Sequence, residues 1–280
     1  MQLDDNRIAI RERSFVDVMD LALRVIRTYA GPLAVALLAG VGPMMCFNAW
    51  LLAGYTDPNM VEEIPLDSGG IIAVPWWYLW YTVLLIIIEI PLATAPITLY
   101  LGQVLFQEKP EVRQIVRTYW RSLPQMLWYQ VILRALLTPW VITWLLLFAA
   151  WPYLGEIILL ERNPWRTRRG RMTTYRRAKA LHGRSGGDLF ARWLGAFAVG
   201  ALLYVSVLFS IYIVAGMLLN EWTLSGPVFT ICLPLAMWLL VGFFAVVRFL
   251  AYLDLRIRCE GWEVELVMRA EGARLTRRLT

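Results

Sequence analysis

Long runs of apolar residues alternate with short polar stretches along the whole chain. The runs lie at about 33–53, 76–106, 125–160, 189–219 and 227–252. Each is at least as long as the roughly 20 residues that an α-helix needs to cross the hydrocarbon core of a bilayer. The pattern therefore predicts an all-α fold, a polytopic bundle of membrane helices.

The run at 125–160 is too long for one span. A strongly basic loop follows it at 162–184, and basic loops stay in the cytoplasm, so the run has to enter the membrane and return. Residues 138–140 (Thr-Pro-Trp) are the natural turn. The first arm, 125–137, is about 20 Å long as a helix against a core of about 30 Å, so a short tilted span and a re-entrant arm are both open. We thus expect about six hydrophobic segments, with the third and fourth forming a hairpin.

The basic residues are confined to one set of loops. No Lys or Arg lies between Arg27 and Lys109 or between Arg192 and Arg248, and the loops at 54–74 and 220–226 carry only acidic charges. The positive-inside rule then predicts a multi-pass protein of the bacterial cytoplasmic (inner) membrane with both termini in the cytoplasm. Because this bias and contact with anionic lipid head groups explain the net charge of +6, no nucleic-acid partner is expected.

Amphipathic helices are predicted in the polar segments. Residues 14–29 have apolar positions spaced for one helical face, and Ser14 is a suitable cap. Residues 110–123 and 260–279 are also amphipathic or mixed in charge, and all three segments offer surfaces for protein partners on the cytoplasmic side. The predicted organisation is a cytoplasmic or interfacial amphipathic helix (1–30), a transmembrane bundle (31–252) and a cytoplasmic C-terminal tail (253–280).

One acidic residue, Glu89, falls near the centre of the second span. An unpaired charge there costs on the order of 2.5–3.5 kcal/mol, so the helix face that carries Glu89 should point into the bundle. Arg134 lies at a compatible depth and is the predicted ion-pair partner. The predicted intramembrane polar site consists of Glu89, Arg134, Thr82, Tyr100 and Gln103. Such a site serves either transport or, as we favour, the register of helix packing.

Small residues four positions apart occur in two of the predicted spans. They are Ala36 with Gly40 and Ala196 with Gly200. This spacing allows two helices to approach closely, either within one chain or between two copies.

No catalytic motif survives inspection of its context. Residues 183–187 match G-x-S-x-G beside His182, the single histidine, but a nucleophile elbow requires a preceding strand that is missing here. No zinc motif, phosphate-binding loop or Cys/His cluster occurs. We therefore expect no enzyme activity, no metal and no cofactor. The basic loop is instead predicted to contact anionic lipids through Arg166, Arg168, Arg169, Arg171, Arg176 and Arg177.

Three stretches carry a resemblance to known proteins. They are RSFVDVMDLALRVIRTYAGPL near the start, PYLGEIILLERNPW in the middle and AYLDLRIRCEGWEVEL near the end. Together they resemble a broad group of uncharacterised bacterial multi-span inner-membrane proteins related to the membrane domain of some glycerophosphoryl diester phosphodiesterases. The resemblance implies an all-helical inner-membrane protein. The phosphodiesterase domain has no counterpart here, so the resemblance implies neither that activity nor any catalytic residue.

These observations leave two functional hypotheses. The first is a non-catalytic membrane subunit or scaffold that engages other proteins through its cytoplasmic helices. The alternative is a permease or channel component with a polar site around Glu89 and Arg134. A polar cavity that reaches the membrane midplane favours transport, whereas a packed bundle favours the scaffold.

Overall fold

The protein is a helical bundle. The computed structural model describes residues 14–52, 62–64, 71–73, 76–106, 110–132, 151–164, 172–183, 186–219 and 231–260. Within these ranges, four helices are long and apolar enough to cross a membrane. The predicted class, a bundle of membrane helices, is confirmed to that extent.

The elements follow one another along the chain with short connections. The helices are α1 (Phe15–Thr28), α2 (Ala30–Leu52), α3 (Trp76–Phe106), α4 (Val112–Met126), α5 (Leu154–Glu156), α6 (Thr174–Gly183), α7 (Gly186–Leu219) and α8 (Leu233–Glu260). Two π-helical stretches, Leu127–Ile132 and Ile157–Glu161, continue α4 and α5. Between α2 and α3 lies a short antiparallel hairpin of β1 (Glu62–Ile64) and β2 (Ile71–Ala73), with Glu63 opposite Ile72. The sequence analysis had placed only a loop there.

Helices α3 and α8 form the centre of the bundle. Ala93 and Ala95 of α3 and Tyr252 of α8 are completely buried. Helix α2 packs along α3, and α7 packs along α8. Much of α7 faces outward, and its large apolar side chains, such as Phe197 and Phe209, are exposed. Such a surface suits contact with lipid rather than water.

Helix α1 is the predicted amphipathic helix, and it lies against the bundle. The Oγ of Ser14 accepts a hydrogen bond from the backbone N–H of Asp17, and the Asp17 carboxylate accepts one from the N–H of Ser14, each at 3.2 Å. This reciprocal cap fixes the start of the helix. The apolar face, with Val18, Ala22 and Val25 buried, packs mainly on α8. The chain then turns at Tyr29, and Pro32 is accommodated in the first turn of α2.

Both pairs of small residues serve contacts within the chain. A Cβ added to Gly40 would overlap the carbonyl oxygen of Ala93, so α2 and α3 touch there backbone to backbone. A Cβ on Gly200 would lie 3.2 Å from the ring of Phe244 on α8. The close approach that the spacing predicts is therefore used inside the bundle.

The chain between 151 and 164 is the most deeply buried polar-containing stretch near the centre, and we call it the central segment. Tyr153, Leu154 and residues 156–159 are buried, with Ile157 fully so. The segment packs against α3, α4 and α6. It includes the second arm of the predicted hairpin, whereas the turn at 138–140 lies outside the described residues.

Two helix boundaries differ from expectation. Helix α7 begins at Gly186, so Asp188 lies in its first turn and is not the cap that the sequence suggested. An acidic side chain there still favours the helix, because the N-terminus carries a partial positive charge. Helix α8 continues past Tyr252 to Glu260, because Asp254, Arg256 and Arg258 find partners described below.

Candidate functional site

Glu89 is held by an asparagine of the neighbouring helix. The Nδ2 of Asn48 on α2 donates a hydrogen bond to the Oε2 of Glu89 on α3 at 2.8 Å. Both side chains are buried, with 8% and 6% of their surface exposed. A hydrogen bond between two buried polar groups fixes the rotation of each helix, because a rotated helix leaves both groups without a partner.

The other members of the predicted intramembrane site do not gather around Glu89. Gln103 lies fourteen residues further along α3, or about 21 Å at 1.5 Å per residue. It bonds instead to Gln114 and to the backbone N–H of Glu111, where it links α3 to the start of α4. Thr82 is buried and Tyr100 is half-buried on α3. Arg134, the predicted partner of Glu89, lies outside the described residues.

A second polar cluster surrounds the central segment. The Nη2 of Arg248 on α8 lies 2.9 Å from both carboxylate oxygens of Glu156. Only 3% of the Glu156 side chain is exposed, against 23% for Arg248. Gly155 lies beside this pair, where a Cβ would be 3.5 Å from the same Nη2. The small residue therefore lets the guanidinium reach the carboxylate beside the segment's backbone.

Glu161, at the end of the central segment, collects three partners. Arg177 of α6 donates two hydrogen bonds to its carboxylate, at 2.6 and 2.9 Å, and the hydroxyl of Tyr252 donates a third at 2.8 Å. Arg256 lies 3.9 Å away. Burial alone would raise the pKa of Glu161, but these hydrogen bonds and the two positive charges bring it below the usual carboxyl value. The carboxylate is therefore charged and ties α6 and α8 to the segment.

A third group of charges joins the start of α7 to the end of α8. Arg192 contacts Asp254 at 3.0 Å and Asp188 at 3.2 Å. Arg258 contacts the same two carboxylates, at 3.2 and 2.9 Å. Two cations and two anions alternate, so each charge has an opposite neighbour on the other helix. Charge-assisted contacts of this kind specify a unique arrangement of helices.

Comparison with known proteins adds no family to this picture. The chain matches no protein-family model, no curated protein and no solved structure. Its chemistry must therefore be inferred from its own residues.

His182 is a structural residue of α6. Its Nδ1 donates to the carbonyl oxygen of Ala178 at 2.7 Å, and its Nε2 accepts from the backbone N–H of Tyr153 at 3.4 Å. The ring is buried and stacks on the Tyr153 ring with centroids 5.9 Å apart. Burial lowers the pKa of His182, which keeps the imidazole neutral. Both ring nitrogens are occupied, and neither is placed to activate a nucleophile.

Metal chemistry finds no support in the part of the chain that the structure describes. No group of three or more His, Cys, Asp or Glu side chains is close enough there to hold an ion. Of the six arginines predicted to contact lipid, only Arg176 and Arg177 lie in described ranges. Arg176 is exposed, whereas Arg177 is committed to Glu161.

Sequence reasoning identified Glu89 but missed the partners that organise the polar clusters. Asn48 sits in an uninterrupted apolar run, and an amide there is a signal as strong as the carboxylate itself. Glu156, Glu161, Arg248 and Tyr252 fall within stretches quoted above only as a resemblance. The four-residue spacing of Arg248 and Tyr252, one helical turn, matches the five-residue spacing of the two glutamates and was a usable signal.

Proposed function

We propose that the chain is a non-catalytic, multi-pass subunit or scaffold of the bacterial inner membrane. Both termini lie in the cytoplasm, and the run at 125–160 forms a hairpin, giving about six hydrophobic segments. The helices α1, α4 and α6 form a surface for protein partners on the cytoplasmic side. The support comes from four long apolar helices and from the one-sided distribution of basic residues.

The observation that carries this proposal is the pairing of the buried polar groups. Glu89 bonds Asn48, Glu156 bonds Arg248, and Glu161 bonds Arg177. In each pair the two partners come from different elements of the chain. Groups that are used to hold helices together do not present a carboxylate or a base to a substrate, so a structural role accounts for them.

The topology is tested by cysteine labelling. In a chain whose Cys46, Cys232 and Cys259 have been replaced by serine, single cysteines are introduced by Asp67→Cys, Glu221→Cys, Arg169→Cys and Arg274→Cys. We expect a membrane-impermeant thiol reagent to label the first two from outside intact cells and the last two only after lysis. External labelling at 169 would refute the hairpin.

The alternative, a permease or channel component, is tested at Glu89. In proteoliposomes with an internal pH dye, we expect the wild-type chain and Glu89→Gln to give proton flux equal to that of empty vesicles. In detergent, Asn48→Leu and Glu89→Gln should each lower stability, and the double variant should lose less than their sum, since the two groups share one bond. Flux in the wild type that Glu89→Gln abolishes, but Glu62→Gln in the external loop does not, would favour transport.

A further inference from the structure

A basic cleft lies between α4 and the central segment. It encloses about 390 Å³. Three arginines line it, Arg117 and Arg121 from α4 and Arg162 from the end of the central segment, and Ile158 contributes to its wall. No carboxylate lines this cleft. Its sign and its location separate it from the ion-paired clusters described above.

The pattern of α4 directs the polar face of the helix into the cleft. The lining residues of α4 are at positions 114, 117, 118, 121, 122 and 125, which is one face of a helix at spacings of three and four. Val112, Val116 and Trp120 lie on the opposite face and are largely exposed. An exposed apolar stripe opposite a basic face is typical of a helix that lies in a membrane interface. The cleft is therefore close to the lipid head groups.

The arginines of the cleft differ from the others near the central segment in having no counter-charge. Among the described residues, neither Arg117 nor Arg121 has an acidic partner within ion-pair distance. Arg162 donates a hydrogen bond to the Oγ1 of Thr118 at 3.2 Å, which is a neutral partner. Three like charges around one space repel each other, and a bound anion removes that repulsion.

The backbone brings Arg162 to this position at some cost. It has φ 51° and ψ 39°, the left-handed conformation that non-glycine residues rarely adopt. The turn ends the π-helical stretch and places Arg162 across the cleft from α4. Strained backbone of this kind is found where a side chain must be aimed at a ligand.

We propose that this cleft binds a phosphate-bearing anion. The guanidinium groups of Arg117, Arg121 and Arg162 match the geometry of phosphate oxygens, and the hydroxyls of Thr118 and Ser122 are further donors on the same wall. The volume falls in the usual range for small-molecule sites and accommodates a head group rather than a bare ion. The site is distinct from the loop arginines predicted to contact lipid, and it does not depend on the scaffold proposal.

The test uses the full chain purified in an uncharged maltoside detergent. Isothermal titration calorimetry measures binding of inorganic phosphate, of dioctanoyl phosphatidic acid and of dioctanoylglycerol, which lacks the phosphate. Arg117→Gln and Arg121→Gln should each weaken binding roughly tenfold, since each removes a charge-assisted contact. Arg113→Gln is the matched control, because Arg113 is an exposed arginine one turn earlier on α4 that does not line the cleft.

The outcomes separate the two sources of phosphate. Binding of inorganic phosphate that competes with phosphatidic acid supports a site for a free phosphate compound, and binding of phosphatidic acid alone supports a lipid head group. Arg117→Lys, which keeps the charge but loses the planar fork, should fall between wild type and Arg117→Gln. The proposal is overturned if neither phosphate compound binds, if dioctanoylglycerol binds equally well, or if Arg113→Gln weakens binding as much as Arg117→Gln.

Discussion

The contact between Gly40 and Ala93 makes a sharp prediction about the packing of α2 on α3. In Gly40→Ala the new Cβ would overlap the Ala93 carbonyl oxygen and lie 2.9 Å from the carbonyl carbon and 3.2 Å from the Cα. These are backbone atoms and cannot rotate away, so the two helices must separate. Separation disturbs the small core in which Val41, Ile86 and Trp238 are buried. Overpacking of this kind costs about 1–3 kcal/mol.

Gly42→Ala is the matched control on the same helix. A Cβ there meets nothing within 4 Å. Both substitutions gain the same helix propensity, roughly 0.5–1 kcal/mol, because alanine restricts the unfolded chain more than glycine does. The difference in unfolding free energy between the two variants therefore isolates the overlap, and we expect Gly40→Ala to be less stable by about 1–3 kcal/mol.

The assay is equilibrium unfolding of both variants in mixed dodecyl sulfate and maltoside micelles. Tryptophan fluorescence is a suitable probe, because Trp238 is buried in the affected core. Circular dichroism in the absence of dodecyl sulfate establishes that each variant starts from the same helical content. Equal midpoints for the two variants, or a lower midpoint for Gly42→Ala, would refute the backbone contact.

Two further predictions concern the central segment. Glu156→Gln and Arg248→Met should each destabilise the chain by about 3–5 kcal/mol, because each leaves a buried charge without its partner, and the double variant should recover part of the loss; additive losses in the same unfolding assay would contradict the pair. Stability should also fall as the pH drops below about 6.5, the ordinary value for histidine, because burial lowers the pKa of His182 and the unfolded chain then binds a proton that the folded chain refuses. His182→Gln, which removes the single histidine, should flatten that dependence between pH 7.5 and 5.5, and an unchanged slope would exclude His182 as its source.

The parts of the fold that the sequence predicted are those set by local composition. The second apolar run was expected at 76–106, and α3 occupies Trp76–Phe106, because an aromatic cluster opens the run and polar residues close it. The cap at Ser14 and the apolar face of α1 were likewise readable from spacing. The end of α8 was not, since the charges after Tyr252 resemble a solvated tail until their partners are known.

The partners of buried charges depend on helix rotation, which a one-dimensional pattern does not contain. Arg134 was paired with Glu89 on depth alone, whereas the structure gives Glu89 a hydrogen bond from Asn48 on the preceding helix. Depth identifies many compatible partners, and rotation selects among them. The same limit hid the basic cleft, because the sequence places Arg117 and Arg121 on one face of α4 but does not show that Arg162 faces them.

The pairing of the central segment with α8 also dictates an order of events during synthesis. Glu156 and Arg248 are 92 residues apart, and Glu161 and Tyr252 are 91 apart. When the central segment leaves the ribosome, its carboxylates have none of these α8 partners, and two unpaired charges oppose its burial. It therefore waits near the membrane surface until α8 has been made and inserted. The last long helix is thus the one that completes the interior, and a chain truncated before α8 would leave the central segment undocked and open to proteolysis.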